Sequence, residues 1–335
     1  MISRKFFRNC FLAILMCAGI AANAQTFVVE RGNSFFSFDN LEAAMEALQN
    51  GDKIYIPPGT HGTSGDFLTF DKSVTIIGAG YEGADASRFN QYVYLEADGI
   101  TVTGIAFTQS LTINSLSNLL MTRCLVISSF YVIDTQNNIV ISECEFRGGF
   151  GSPAYGIPNQ PLRNAIISKS IFKGNVYADY STIYNCLFLT TSAAGINSLQ
   201  TTFQNNIIVL STQGNTLQPY FSNTFHATFD NNLWLGGEPT FPAANNVIFN
   251  PSNITGVFYA DTFNNPTAND YSLKEGSVGI GAGNDGTDVG IFGTAVPFKA
   301  SKLPAMPHFS LKNISPETDE TGNLKVNIVI EAQER

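Results

Sequence analysis

The chain has 335 residues, with 18 basic and 27 acidic side chains and a net charge of −9; 13% of residues are charged, 44% hydrophobic and 12% aromatic. That balance excludes a disordered chain, which would be rich in charge and poor in aromatics. It also argues against a nucleic-acid binder, which needs a basic stripe to displace counterions from phosphate.

The first residues read as a targeting signal. Arg4, Lys5 and Arg8 form a basic start, Phe11 to Ala22 is an apolar run too short to span a bilayer, and Ala22-Asn23-Ala24 is a small-residue cleavage site before Gln25. A membrane anchor is one alternative. A lipoprotein through Cys17 is another, although Met16 stands where a small residue is expected. Cleavage after residue 24 removes three positive charges and no acid, taking the net charge from −9 to −12. No later stretch is long and apolar enough to be a transmembrane segment. The mature chain is therefore expected to be secreted, periplasmic or at the cell surface. It keeps Cys124, Cys144 and Cys186, an odd number that makes no disulfide framework, and no C-x-x-C exists to suggest zinc or redox chemistry.

Leu41, Ala44, Met45 and Leu48 fall at i, i+3, i+4 and i+7, predicting an amphipathic helix with Asp39 or Asn40 as N-cap and Gly51 at its end. Lys53-Ile-Tyr-Ile-Pro-Pro-Gly59 reads as a strand stopped by prolines, and Ser73-Val-Thr-Ile-Ile-Gly78 as another. The chain then repeats itself. Arg123-Cys-Leu-Val126, Glu143-Cys-Glu-Phe146, Lys169-Ser-Ile-Phe172, Asn185-Cys-Leu-Phe188, Asn205-Asn-Ile-Ile208 and Asn231-Asn-Leu-Trp234 align, and their second positions are spaced by 20, 26, 16, 20 and 26 residues. A strand-rich and turn-rich period near 20 residues means a solenoid. The leucine-rich-repeat frame is missing, so a parallel β-solenoid is expected, with Phe146, Phe172, Phe188 and Trp234 filling its bore and the small or amide column bonding along the turn. The tail from 299 breaks the pattern with Pro304 and Pro307, then offers two strands, at His308 and from Asn323 to Ile330, joined by an acidic turn.

The opening Leu41-Glu-Ala-Ala, Gly51-Asp, Ile54-Tyr-Ile-Pro-Pro-Gly59-Thr-His61 and Val74-Thr-Ile-Ile-Gly78, followed by the Asn-Asn coils, resembles right-handed parallel β-helix proteins of the pectin-lyase-like superfamily. The run from Asp270 to Gly293 is similar to the closing segment of many secreted bacterial members. The resemblance covers roughly residues 26–298 and implies an all-β fold, a single-stranded right-handed parallel β-helix with a helix over its N-terminal end; with the residue readings above, the chain divides into a signal peptide over 1–24, the β-helix over 25–298, and a C-terminal β cap or a secretion or attachment tail over 299–335. It does not assign an activity.

Arg123, Glu143 and Lys169 form one column before the cysteines, with Arg147 and Lys173 equivalent to each other one turn apart and Glu145 nearby. In lyases of this superfamily a Lys or Arg abstracts a proton beside a uronate carboxylate, with charge stabilising the enolate. Lys169, Arg147 and Glu143 are thus the catalytic candidates, and Arg123, Glu145, Lys173, Tyr155 and Tyr177 the substrate-binding candidates. The ordinary alternative is a salt-bridge ladder on a solvated sheet. The paired-aspartate and Arg-x-Pro-x-x-Arg patterns of the superfamily's hydrolases and lyases are absent, and no Lys or Arg occurs between Lys173 and Lys274. Tyr131, Tyr155, Tyr177, Tyr180, Tyr184 and Tyr220 offer flat faces to sugar rings or else cap coil edges. Gly148 to Pro158 reads as an inserted loop walling a cleft. Gly281-Ala-Gly283-Asn-Asp-Gly286 matches a dinucleotide fingerprint in form only, since no helix can follow. Asp285 and Asp288 either bond turn backbone or hold Ca²⁺; no other cofactor and no metal is expected, and His61, His226 and His308 are too dispersed for a metal site. Cys124 and Cys144 are read as stacked buried thiols, with a disulfide between coils as the alternative. The preferred function is binding of a polysaccharide or other glycan at the bacterial envelope. The alternatives are a polysaccharide lyase or glycoside hydrolase acting on uronates, and a structural or adhesive rod.

Overall fold

The computed structural model describes residues 26–153, 161–189, 195–209, 227–235, 247–249, 270–299, 302, 308–318 and 321–331. The expected signal peptide, Tyr155, Tyr220 and His226 lie outside them. The fold is a parallel β-helix whose successive coils stack their strands into three sheets among the described residues. Sheet I has 11 strands, running from an N-terminal hairpin through Lys53–Ile56, Thr75–Gly78 and Thr101–Thr103 to Thr228–Asp230. Sheet II has 10, from Gly59–His61 to Val247–Phe249, and sheet III has 8, among them Phe67–Phe70, Tyr92–Leu95, Leu111–Asn114, Phe130–Ile133, Phe150–Pro153 and Val176–Asp179.

The N-terminal end is closed in two ways. Helix α1 spans Leu41–Ala47, with the Asn40 side chain accepting a 2.8 Å hydrogen bond from the Ala43 N–H as N-cap. It sends Leu41 and Ala44, with Leu48 behind them, into the same core as Ile54 and Ile76. The hairpin Phe27–Arg31/Ser34–Phe38 adds to the edge of sheet I, pairing antiparallel with Lys53–Ile56. The sequence reading missed this hairpin. At the other end of the chain, His308–Thr318 and Leu324–Glu331 pair antiparallel with each other.

Stacking is in register. Leu125, Glu145, Ile171, Leu187, Ile207 and Leu233 are successive pairing partners in sheet II. Phe146, Phe172 and Phe188 therefore sit one above another in the bore, ring centroids 5.5 and 5.0 Å apart. Phe150 belongs to this core too, with its ring stacked on Phe130 at 5.2 Å. The run from Gly148 is thus not wholly a loop: Phe150–Pro153 is a sheet III strand, because a large apolar residue set among glycines reaches the bore through a bulge.

The corner from sheet I to sheet II explains the repeated motif. Its first residue (Arg123, Glu143, Lys169, Asn185, Asn205 or Asn231) has φ between 47° and 55°, the left-handed region that reverses the chain sharply. The next residue points inward and serves the coil before it. The Cys144 N–H donates to Ser170 Oγ (3.2 Å), the Ser170 N–H to Cys186 Sγ (3.5 Å), the Cys186 N–H to Asn206 Oδ1 (2.8 Å) and the Asn206 N–H to Asn232 Oδ1 (3.0 Å). Cys124, Cys144 and Cys186 are free and buried, as small hydrophobes.

Replacing Asn206 with Ala should strand the Cys186 N–H and the Ile183 carbonyl and cost about 1–3 kcal/mol for each buried group left unpaired. Phe172→Ala should cost about 3–5 kcal/mol. Urea unfolding measures both, and a loss under 0.5 kcal/mol in either would contradict the stacked core.

Candidate functional site

The outward face of sheet II carries the charged candidates, and the chain itself covers most of that face. The triplets Leu187-Phe-Leu189, Ile207-Ile-Val209 and Leu233-Trp-Leu235 do not alternate between apolar and polar. Such a pattern marks a strand buried on both sides. Their outward side chains pack with Ile171 against Val289, Ile291 and Phe298, with Tyr271, Leu273 and Phe292 at the margin. Residues 279–299 thus form a strap that runs back along the corner column. Asn231 Nδ2 donates to the Ala282 carbonyl (3.0 Å), and Asn205 exchanges bonds with Asn284 through Nδ2 (2.8 Å) and Oδ1 (2.9 Å). Asn185 Nδ2 donates to the Gly290 carbonyl (3.2 Å), Lys169 Nζ to the Val296 carbonyl (3.0 Å), and the Lys299 N–H to Glu143 Oε2 (3.4 Å). Lys302 then pairs with Glu82. Gly290, at φ 82°, passes so close that a Cβ there would stand 2.5 Å from Ile207 Cδ1.

Within this cover the candidates form two ion-pair clusters. Arg123 Nε lies 3.0 Å from Glu143 Oε2 and Lys169 Nζ 3.6 Å from Glu143 Oε1. Glu145 Oε1 receives Arg147 Nε at 2.8 Å, and Lys173 Nζ stands 2.9 Å from it as an ionic contact off the hydrogen-bond direction. Arg123, Glu143 and Glu145 are buried. Burial alone would raise the Glu145 carboxyl, but Lys173 and Arg147 outweigh it and hold the group below its usual range. Tyr81, from the loop covering the earlier coils, packs on Ala106 and Leu125. Its hydroxyl is pushed up by burial, with Glu145 adding to the effect. A base that takes a proton from substrate must be free of such partners. As arranged, the Glu143 cluster ties the corner to the strap, and the Glu145 cluster joins neighbouring coils of sheet II.

Tyr177 is elsewhere, on the outward face of sheet III, which no described segment covers. There the sequence reading named Tyr131 and Tyr177 but missed their neighbours. Tyr92 and Tyr94 alternate with inward Val93 and Leu95, and Phe67, 68% exposed, stacks on Tyr92 at 5.5 Å and lies 6.0 Å from Tyr94. Pairing aligns Tyr94 with Thr112, Thr112 with Tyr131, and Phe130 and Val176 both with Phe150, which brings Tyr131 and Tyr177 into line. The signal available in the sequence was the alternation in Tyr92-Val-Tyr-Leu95. Tyr184 belongs to sheet I, and Tyr180 turns the corner between sheets III and I with Arg163 5.9 Å from its ring.

The remaining candidates have structural partners. His61 Nε2 lies 2.8 Å from the Pro57 carbonyl, between Phe27 and Phe89, and burial lowers its pKa. Asp285 Oδ1 accepts from the Thr287 N–H and hydroxyl, and Asp288 Oδ1 from the Gly281 N–H. The glycine run from 281 is turn structure within the strap. No helix among the described residues is long and apolar enough to cross a membrane. No protein-family model matches the chain, and no curated protein matches it.

Because the Glu145 pKa is lowered on folding, its stabilising contribution is complete above the usual carboxylate range and lost as pH falls through the folded-state value. Glu145→Gln should cost about 3–5 kcal/mol at neutral pH by stranding two cations and flatten the acid limb of the stability profile. Replacing Glu145, Arg147 and Lys173 together with Leu should restore stability to wild type or above, since the column continues into aliphatic Ile171 and Leu187. Unchanged acid sensitivity in Glu145→Gln would contradict this assignment.

Proposed function

We propose that this is a secreted or cell-surface β-helix of the pectin-lyase-like kind that binds a carbohydrate polymer at the bacterial envelope through the outward face of sheet III. The observation that carries the reading is the aromatic stripe Phe67, Tyr92, Tyr94, Tyr131 and Tyr177 on a parallel sheet, covered by no segment among the described residues. Tyrosine presents a flat apolar face and a hydroxyl, which suits the faces and hydroxyl edges of sugar rings. A sheet held on both sides by stacked coils binds without ordering cost. Binding is favoured over lyase or hydrolase chemistry because Lys169 and Glu143 are paired with each other and bonded to the strap, and Arg147 is paired with Glu145. It is favoured over a plain structural rod because a solvated sheet does not need a run of aromatic rings.

The test is retention of the full chain on a panel of insoluble and immobilised polysaccharides. At least one should retain it, and a Phe67→Ala/Tyr131→Ala variant of unchanged melting temperature should be retained about tenfold less, at roughly 0.5–1.5 kcal/mol per lost ring contact. No retention on any polysaccharide would overturn the reading. Release of unsaturated uronate product would replace it with the lyase.

A further inference from the structure

The spacing and charge of the same face bear on what it binds. Successive coils of a parallel sheet are about 4.8 Å apart. Tyr94, Tyr131 and Tyr177 stand on every second coil, with Thr112 between the first two and the Gly151–Ser152 bulge between the last two. Thr112 is only 5% exposed, so the rings stand proud of it. Gly151 has no side chain, and a Cβ there would meet the Tyr177 carbonyl at 2.1 Å. The result is a line of rings along the solenoid axis, roughly 10 Å apart. An extended β-1,4-linked glycan repeats its ring orientation every two sugars over about that length, so alternate sugars would meet a tyrosine in the same pose. A helical α-linked chain would not keep this pace.

The unpaired charges around the face are mostly acidic. Asp66, Asp71, Glu96, Asp98 and Asp134 are exposed along its margins. Of the nearby cations, Lys72 lies 2.9 Å from Asp71, and Arg163 lies 3.8 Å from Asp179 and beside Tyr180. The opposite margin is rich in hydrogen-bonding groups: Asn90 accepts from Thr108, Gln109 donates to Ser64, and Ser110 bonds Ser128; its cations, Arg147 and Lys173, follow in the Thr108 column and are both held by Glu145. A polyanion brought to this face meets carboxylates at short range, where salt screens little.

We infer that sheet III takes a neutral, extended β-1,4-linked glycan laid along the solenoid axis and paced by Tyr94, Tyr131 and Tyr177. The inference rests on the carbohydrate-binding reading and excludes the uronate polymers that the fold's resemblance brings to mind. Calorimetric titration of the full chain with three six-ring oligosaccharides tests it: cellohexaose, maltohexaose and hexagalacturonate. Cellohexaose should bind, more tightly than its two-ring and four-ring homologues. Tyr94→Ala, Tyr131→Ala and Tyr177→Ala should each weaken it about 3- to 10-fold with the melting temperature unchanged. Hexagalacturonate and maltohexaose should bind at least about tenfold more weakly, the former even at low salt.

Equal or tighter binding of hexagalacturonate would overturn the neutral class, and equal binding of maltohexaose would overturn the pacing. Cellohexaose binding that ignores all three tyrosine changes would overturn the site. Each of these leaves carbohydrate binding standing. Retention on some polysaccharide with no affinity for cellohexaose would likewise sink this inference alone, whereas no retention on any polysaccharide would sink both.

Discussion

A backbone that reverses through the left-handed region at the same point in every turn leaves one N–H per turn facing a neighbour that must be supplied. In this protein the neighbour is a side chain of the following coil: Ser170 for Cys144, Cys186 for Ser170, Asn206 for Cys186 and Asn232 for Asn206. The requirement fixes the register of each coil on the next. From it follow the aromatic column in the bore, the alignment of the outward columns and the spacing of every side chain on the three faces.

The same corner also fixes what lies outside. Its first residue, forced into an uncommon conformation, sends its side chain outward. There Asn205 and Asn185 bond the strap while Arg123 and Lys169 share the Glu143 carboxylate beneath its end. Non-glycine residues in this conformation carry a cost of order 1–3 kcal/mol, and asparagine tolerates it best. That Arg, Glu and Lys occupy the middle coils is consistent with their ion pairs offsetting the strain. Sheet II is thereby covered by the chain's own segment, while among the described residues none covers the aromatic face of sheet III.

Much of the architecture was legible because it repeats. Cys124, Cys144, Ser170, Cys186, Asn206 and Asn232 could be aligned by eye, and the bore residues followed at fixed offset. The helix was legible from Leu41, Ala44 and Leu48, and its cap from Asn40. The cover was not, since contacts such as Asn205 with Asn284 or Lys169 with Val296 join residues far apart in sequence with no period between them. The charged column was therefore read as an open surface, when the unbroken apolar triplets from Leu187 to Leu235 already implied a second buried face. The sheet III stripe was half seen: Tyr177 and Tyr131 were named singly. Their alignment with Tyr94 needs the coil count, which the bulge at Gly151 obscures.

The stacking itself is most directly measured as a distance. Nitroxide labels at Thr101 and Thr202, half-buried on the outward face of sheet I and joined through Leu120, Val140, Ile166 and Thr182, are five coil steps apart. One strand per coil places the two backbone sites about 24 Å from each other, although 100 residues of chain lie between them. A single narrow distribution centred near that value, allowing for the label arms, is the predicted result. A distribution centred beyond 40 Å, or a broad one with no maximum, would contradict coils stacked in register.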